Sequence, residues 1–208
     1  MIRYRNTTIL LAIAILVISV LACQTITKAL SPNQTSSASA SNNDNINLSL
    51  NWLVTANELN SFSTDIGILD WKLIQEDPGQ NRVCRTFHGA SWSASPNEGL
   101  NCISKIVPGS TFEDVIKSMF SDGKLMSDSQ PVKSTLNLDG DFAVYAGSFP
   151  NGHGVFDLIF MKNNLVYWSS VTLGTPAGET PLDTYKSATA VIDTFLANVV
   201  KINLERSK

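Results

Sequence analysis

The sequence predicts an α+β domain, an antiparallel sheet of about six to seven strands covered by two to three helices. Three observations predict it. Three segments carry helix-start chemistry. Two turn sequences of hairpin type divide apolar runs in the carboxyl half. Aromatic and β-branched residues recur between these signals, as strands require.

The elements follow in chain order. Thr55-Ala-Asn-Glu58 is a capping box before a short helix. Strands are expected over Trp71–Gln75, Arg82–His88 and Cys102–Val107. Ser110-Thr-Phe-Glu113 forms a second box. It opens a helix whose Phe112, Val115, Ile116, Met119 and Phe120 share one stripe, and Gly123 is its expected stop. Val132–Leu138, Phe142–Phe149, Val155–Lys162 and Leu165–Thr172 read as a four-strand antiparallel meander. Asp139-Gly140 separates the first two runs as a two-residue hairpin. Asn163-Asn164 separates the last two, because Asn tolerates positive φ. The closing helix starts with Thr180 as N-cap, Pro181 at the first helical position and Asp183 in the first turn. Its apolar face, from Leu182 through Tyr185, Ile192 and Phe195 to Val199, carries it to about Val200.

Composition bounds the function. Of 208 residues, 43% are hydrophobic, which supplies a core and excludes whole-chain disorder. Fifteen cations face 18 anions. Without residues 1–22, whose charges are Arg3 and Arg5, 13 face 18. Such a surface offers DNA or RNA no electrostatic attraction, so no nucleic-acid partner is expected.

Residues 1–22 read as a signal peptide. Arg3 and Arg5 precede an apolar run from Ile9 to Ala22, interrupted only by Ser19. At about 1.5 Å per residue the run covers roughly 21 Å, short of a ~30 Å hydrocarbon core. The run ends Val20-Leu21-Ala22-Cys23, which resembles a bacterial lipobox, with Leu21 where a small residue is commoner. The resemblance implies cleavage before Cys23 and lipid on its thiol. The expected localisation is then the cell membrane or outer membrane, with the domain facing outward or into the periplasm. Two acyl chains satisfy the requirement for stable anchoring. An uncleaved anchor and cleavage by an ordinary signal peptidase are the alternatives.

Residues 23–48 read as the lipidated Cys and a tether. Ser31 to Asn47 is rich in Ser, Asn, Thr and Gln and has no aromatic, so it cannot offset its ordering entropy. Residues 49–205 form the expected single α+β domain. The stretch Gly154 to Thr172 followed by the helix from Tyr185 to Phe195 resembles the PsbP/Mog1-like α/β/α sandwich, which includes exported lipoproteins of the LpqN type. Members of that group are mostly non-enzymatic binding or assembly factors, and the resemblance implies that class.

Two thiols remain, Cys84 and Cys102. An exported chain meets oxidising conditions, so pairing is expected, with free thiols or a redox pair as alternatives. Seventeen intervening residues do not fit redox Cys-X-X-Cys spacing.

Catalytic chemistry has few candidates. There is no Gly-X-Ser-X-Gly, no Cys-X-X-Cys or His-X-X-X-His, and no glycine-rich phosphate loop. The expectation is no catalytic residue, no metal and no cofactor. His88 closes a strand and reads as an ordinary polar residue. His153, in Pro150-Asn-Gly-His-Gly154, reads as a solvated connector residue, with ligand binding as the sharper alternative. Trp92, among small polar residues, is the other ligand-binding candidate. Trp52, Trp71, Tyr145, Tyr167 and Trp168 read mainly as core, and the adjacent Tyr167 and Trp168 must point to opposite faces of a strand. The leading expectation is a membrane-anchored, non-enzymatic module that binds a small ligand or another envelope protein. The alternative is a cell-envelope hydrolase using loop carboxylates or His153. A binder should present an apolar concavity with inward aromatics, and an assembly factor a flat apolar patch.

Overall fold

The computed structural model describes residues 46–91, 97–149 and 152–208. Cys23, the signal segment, most of the tether and Trp92 lie outside the described residues. Helices α1 (Ala56–Phe62), α2 (Phe112–Ser121) and α3 (Pro181–Arg206) accompany seven strands. These are β1 (Ile68–Pro78), β2 (Arg82–Ser91), β3 (Asn97–Lys105), β4 (Gln130–Val132), β5 (Asp141–Phe149), β6 (His153–Lys162) and β7 (Leu165–Gly174). They form one sheet in the order β1-β2-β3-β7-β6-β5-β4, antiparallel at every pair. The fold class and the order of elements match the expectation.

All three helices start on capping boxes. Thr55 with Glu58 is an expected one, and Thr180, expected as an N-cap, also forms a box with Asp183. The second is shifted by one residue: Thr111 is the cap and Asp114 closes the box. This register turns Val115, Ile116, Met119 and Phe120 toward the sheet. Helix α3 continues past Val200 because Asn203 is buried and Arg206 donates to the Leu53 carbonyl at 2.9 Å.

The sheet separates two apolar layers. On one face Phe156, Leu158, Phe160 and Tyr167 pack against Tyr185, Ile192, Phe195 and Val199 of α3. On the other, Tyr145, Ile159, Val166 and Trp168 pack against α2. Strands β6 and β7 are therefore buried along almost their whole length. The Asn163-Asn164 turn forms as expected, with φ values of 52° and 62°.

Trp71 organises the β1 side. Its indole lies across Gly89 and Gly99 of the next two strands, where a methyl group at either would stand 3.0 Å from the ring. It then stacks on Phe195 of α3, with centroids 6.2 Å apart. Asn60 of α1 covers the backbone of the same residue. Its Oδ1 accepts from Trp71 N at 2.6 Å, and its Nδ2 donates to Trp71 O at 3.3 Å. Exposed Leu69, Leu73 and Ile74 lie along this edge strand, whose pairing is broken by two register shifts.

One expected strand is mostly absent. Pairing of the Val132–Leu138 run stops at Val132, and the Asp139-Gly140 turn closes no two-residue hairpin. The cause is Asp193 of α3. Its Oδ2 accepts from Ser134 Oγ, Thr135 N and Thr135 Oγ1 at 2.7–2.9 Å, while Oδ1 accepts from Tyr185 at 2.7 Å. A buried carboxylate demands these donors, and supplying them draws the segment off the sheet.

Candidate functional site

Alternation along the strands places Cys84 and Thr86 of β2, Leu100 and Cys102 of β3, Trp168 and Ser170 of β7, and Asp157 of β6 on the α2 side. Cys84 and Cys102 oppose each other directly and are joined, with sulfurs 2.06 Å apart. Trp168 is flanked by Cys102 on one strand and Ile159 on the other. Tyr167 faces the α3 layer, so the two neighbouring aromatics do point opposite ways.

Helix α2 covers only part of this face. It ends at Ser121, Asp122 is its C-cap, and Gly123 turns the chain at φ 65°. Lys124 N and Leu125 N then bond back to the Met119 carbonyl at 2.9 and 3.1 Å. Leu125 is driven into the core and Lys124 is laid over the sheet. The Lys124 ammonium is 2.8 Å from Asp122 Oδ2, so its stem does the spanning and its charge is engaged at the rim.

Three cavities adjoin beneath that stem, and Trp168 and Lys124 border each of them. The first, about 140 Å³, lies between α2 and the sheet against Ile106, Val115, Met119 and Val166. The second, about 280 Å³, lies over the disulfide against Gln75, Thr86 and Leu100. The third, about 210 Å³, is walled by Met126, Phe149, Val155 and Thr172 and contains Asp157, Ser170 and Glu98. Together they make a groove with an indole in its floor.

Asp157 is the chemically unusual member. Its side chain is buried, and its Oδ1 accepts from Trp168 Nε1 at 2.8 Å. Burial pushes its pKa up to about 6, against the opposing hydrogen bonds from Ser170 and Trp168. Glu98 borders the same cavity, and its backbone N–H donates to the Thr172 hydroxyl oxygen at 2.6 Å. His88 Nε2 stands 3.7 Å from Glu98 Oε1.

The sequence candidates distribute unevenly over this geometry. Cys84 and Cys102 line the groove. Trp92 lies outside the described residues. His153 corrects its expectation of a solvated connector residue. Gly152 makes the turn at φ 77°, so His153 already belongs to β6, opposite Phe149 and Gly174, and is buried. Asp157 and Lys124 were not singled out as ligand-binding residues. The visible signal for Asp157 was a lone carboxylate inside the apolar run Val155–Phe160. Among the described residues, no three His, Cys, Asp or Glu side chains cluster so as to hold a metal ion.

No protein-family model and no curated protein matches the chain. Among solved structures, the crystal structure of human STARD10 aligns with 74% of this chain and 81% of its own at 11% identity. The TM-score of that alignment is 0.24, a likeness too slight to bear on function.

Proposed function

We propose that this chain is an exported lipoprotein, anchored through lipid on Cys23, whose α+β domain is a non-enzymatic extracytoplasmic module that binds a small ligand. The groove over Trp168 carries the reading. A concavity walled by apolar side chains, with an aromatic floor and a few polar groups at one end, has the composition of small-ligand sites. An assembly role draws less support. The exposed apolar residues of β1 lie on an edge with two register shifts and an Asn60 cover over Trp71, features that oppose strand addition.

The test uses the full chain in lipid nanodiscs and isothermal titration calorimetry with n-hexyl compounds. Saturable binding is expected, and Leu100→Trp, which fills the space between the two larger cavities, should abolish it. Binding insensitive to Leu100→Trp, or no binding, overturns the groove reading. The anchor is tested separately by mass spectrometry: an unacylated Met1 terminus overturns it.

A further inference from the structure

We infer that the groove selects a small organic cation, an aliphatic ammonium whose charged end sits beside Asp157 and whose apolar body lies along Trp168. The inference rests on the groove reading and adds the chemistry of the ligand.

The partners of Asp157 are the Trp168 indole N–H and the Ser170 hydroxyl, both neutral donors. A buried carboxylate is ordinarily paired with a cation, because its desolvation is otherwise uncompensated. The cation of the same cavity, Lys124, is held at the rim by Asp122. Glu98 adds a second carboxylate to the cavity wall. The space is therefore anionic at one end and apolar elsewhere, bordered by Met126, Phe149 and Val155. Asp193, the other buried carboxylate described above, shows the contrast: it receives four donors and borders none of the three cavities.

An ammonium group satisfies this arrangement three ways. It neutralises Asp157 in a low-dielectric setting, where a charge-assisted hydrogen bond is strong. It can lie against the indole face, the preferred aromatic partner of a cation. Its alkyl chain extends over Leu100 and the disulfide into the 280 Å³ cavity. An anionic ligand would meet two carboxylates, and a neutral one would leave Asp157 with its two neutral donors and no counter-charge.

The experiment compares n-hexylammonium, n-hexanol and n-hexanoate at neutral pH on the full chain in nanodiscs, by calorimetry and tryptophan fluorescence. The expected order is hexylammonium at least tenfold tighter than hexanol, with hexanoate weakest. Asp157→Asn keeps an acceptor for Trp168 Nε1 and the side-chain shape while removing the charge. It should abolish the preference for hexylammonium over hexanol, and circular dichroism should show the fold retained. Glu98→Gln should weaken hexylammonium severalfold and leave hexanol unchanged. Equal binding of the three compounds, still lost in Leu100→Trp, overturns the cation assignment and leaves the groove reading standing. A preference that survives Asp157→Asn overturns it as well. Absence of binding by all three overturns both.

Discussion

Asn203 of α3 and Asn101 of β3 exchange amide hydrogen bonds in the buried layer between helix and sheet. Asn203 Nδ2 donates to Asn101 Oδ1 at 2.7 Å, and Asn101 Nδ2 donates to Asn203 Oδ1 at 3.3 Å. The same Asn203 oxygen accepts from Val54 N at 3.0 Å. One amide thus registers the closing helix, the third strand and the segment before α1. Asn203→Ala leaves the Val54 N–H and the Asn101 amide without these partners, at about 1–3 kcal/mol for each stranded group. Urea unfolding should show a loss of about 2–6 kcal/mol. An unchanged midpoint would remove the pair from the account of stability.

The disulfide makes a second prediction. Cys84 and Cys102 are 18 residues apart in sequence, and closing a loop of that size removes about 3 kcal/mol of unfolded-state entropy in the chain-entropy model. Their strands are already paired from Arg82 to Gly89, so the bond adds stability without setting register. The double variant Cys84→Ser/Cys102→Ser should lose about 3 kcal/mol by chemical denaturation and keep its far-ultraviolet circular dichroism. Collapse of the sheet signal would show that the bond determines the pairing.

Asp157 couples stability to pH. Its folded-state pKa is raised from 3.8 to about 6. Between those values the native state binds more proton than the unfolded chain, so this group's contribution is intact below about pH 4 and is lost as pH rises through 6. Two pH units correspond to about 3 kcal/mol, an upper figure for the cost of ionising it in the fold. Asp157→Asn should therefore raise stability at pH 7 by up to about 3 kcal/mol, with the gain shrinking toward zero near pH 4. A gain of the same size at both pH values would mean that ionisation is not its source. Since the same variant should lose ligand preference, site and stability oppose each other at this residue.

The fold was legible where the signal was local. The capping box at Thr55, the N-cap at Thr180, the helical stripe from Phe112 to Phe120 and the Asn163-Asn164 turn each depend on residues within a few positions of one another. What was not legible depended on partners far along the chain. The Val132–Leu138 run has strand composition, yet Asp193, 58 residues after Thr135, takes its backbone. Strand β3 runs Asn97–Lys105 and so starts before the expected Cys102–Val107 stretch, because the Glu98 backbone finds Thr172 74 residues away and Gly99 gives room for Trp71. The site followed the same rule. Its aromatic and its cysteines are visible in the sequence, but sharing a cavity is a property of strand order. The neighbour relation of β3 and β7 brings Cys102 beside Trp168.

The last prediction concerns the slot that holds Trp71. A methyl group on Gly89 would come 2.3 Å from Ile68 Cγ2 and 3.0 Å from the Trp71 ring. On Gly99 its close contacts would be with the ring, at 3.0 and 3.1 Å, with Phe87 Cβ in ordinary contact at 3.8 Å. Both residues lie in strand interiors, where glycine is otherwise unfavourable, so close packing accounts for them. The ring cannot retreat, because its other side is stacked on Phe195 and its backbone is held by Asn60. Overpacking of this kind costs about 1–3 kcal/mol. Gly89→Ala should fall at the upper end and Gly99→Ala below it, measured by denaturant midpoint. Ile68→Ala removes the closer of the Gly89 contacts. In a double-mutant cycle Ile68→Ala and Gly89→Ala should therefore cost less together than the sum of the two alone. Strict additivity would show that the methyl group is accommodated by movement of the strand and that Ile68 does not oppose it.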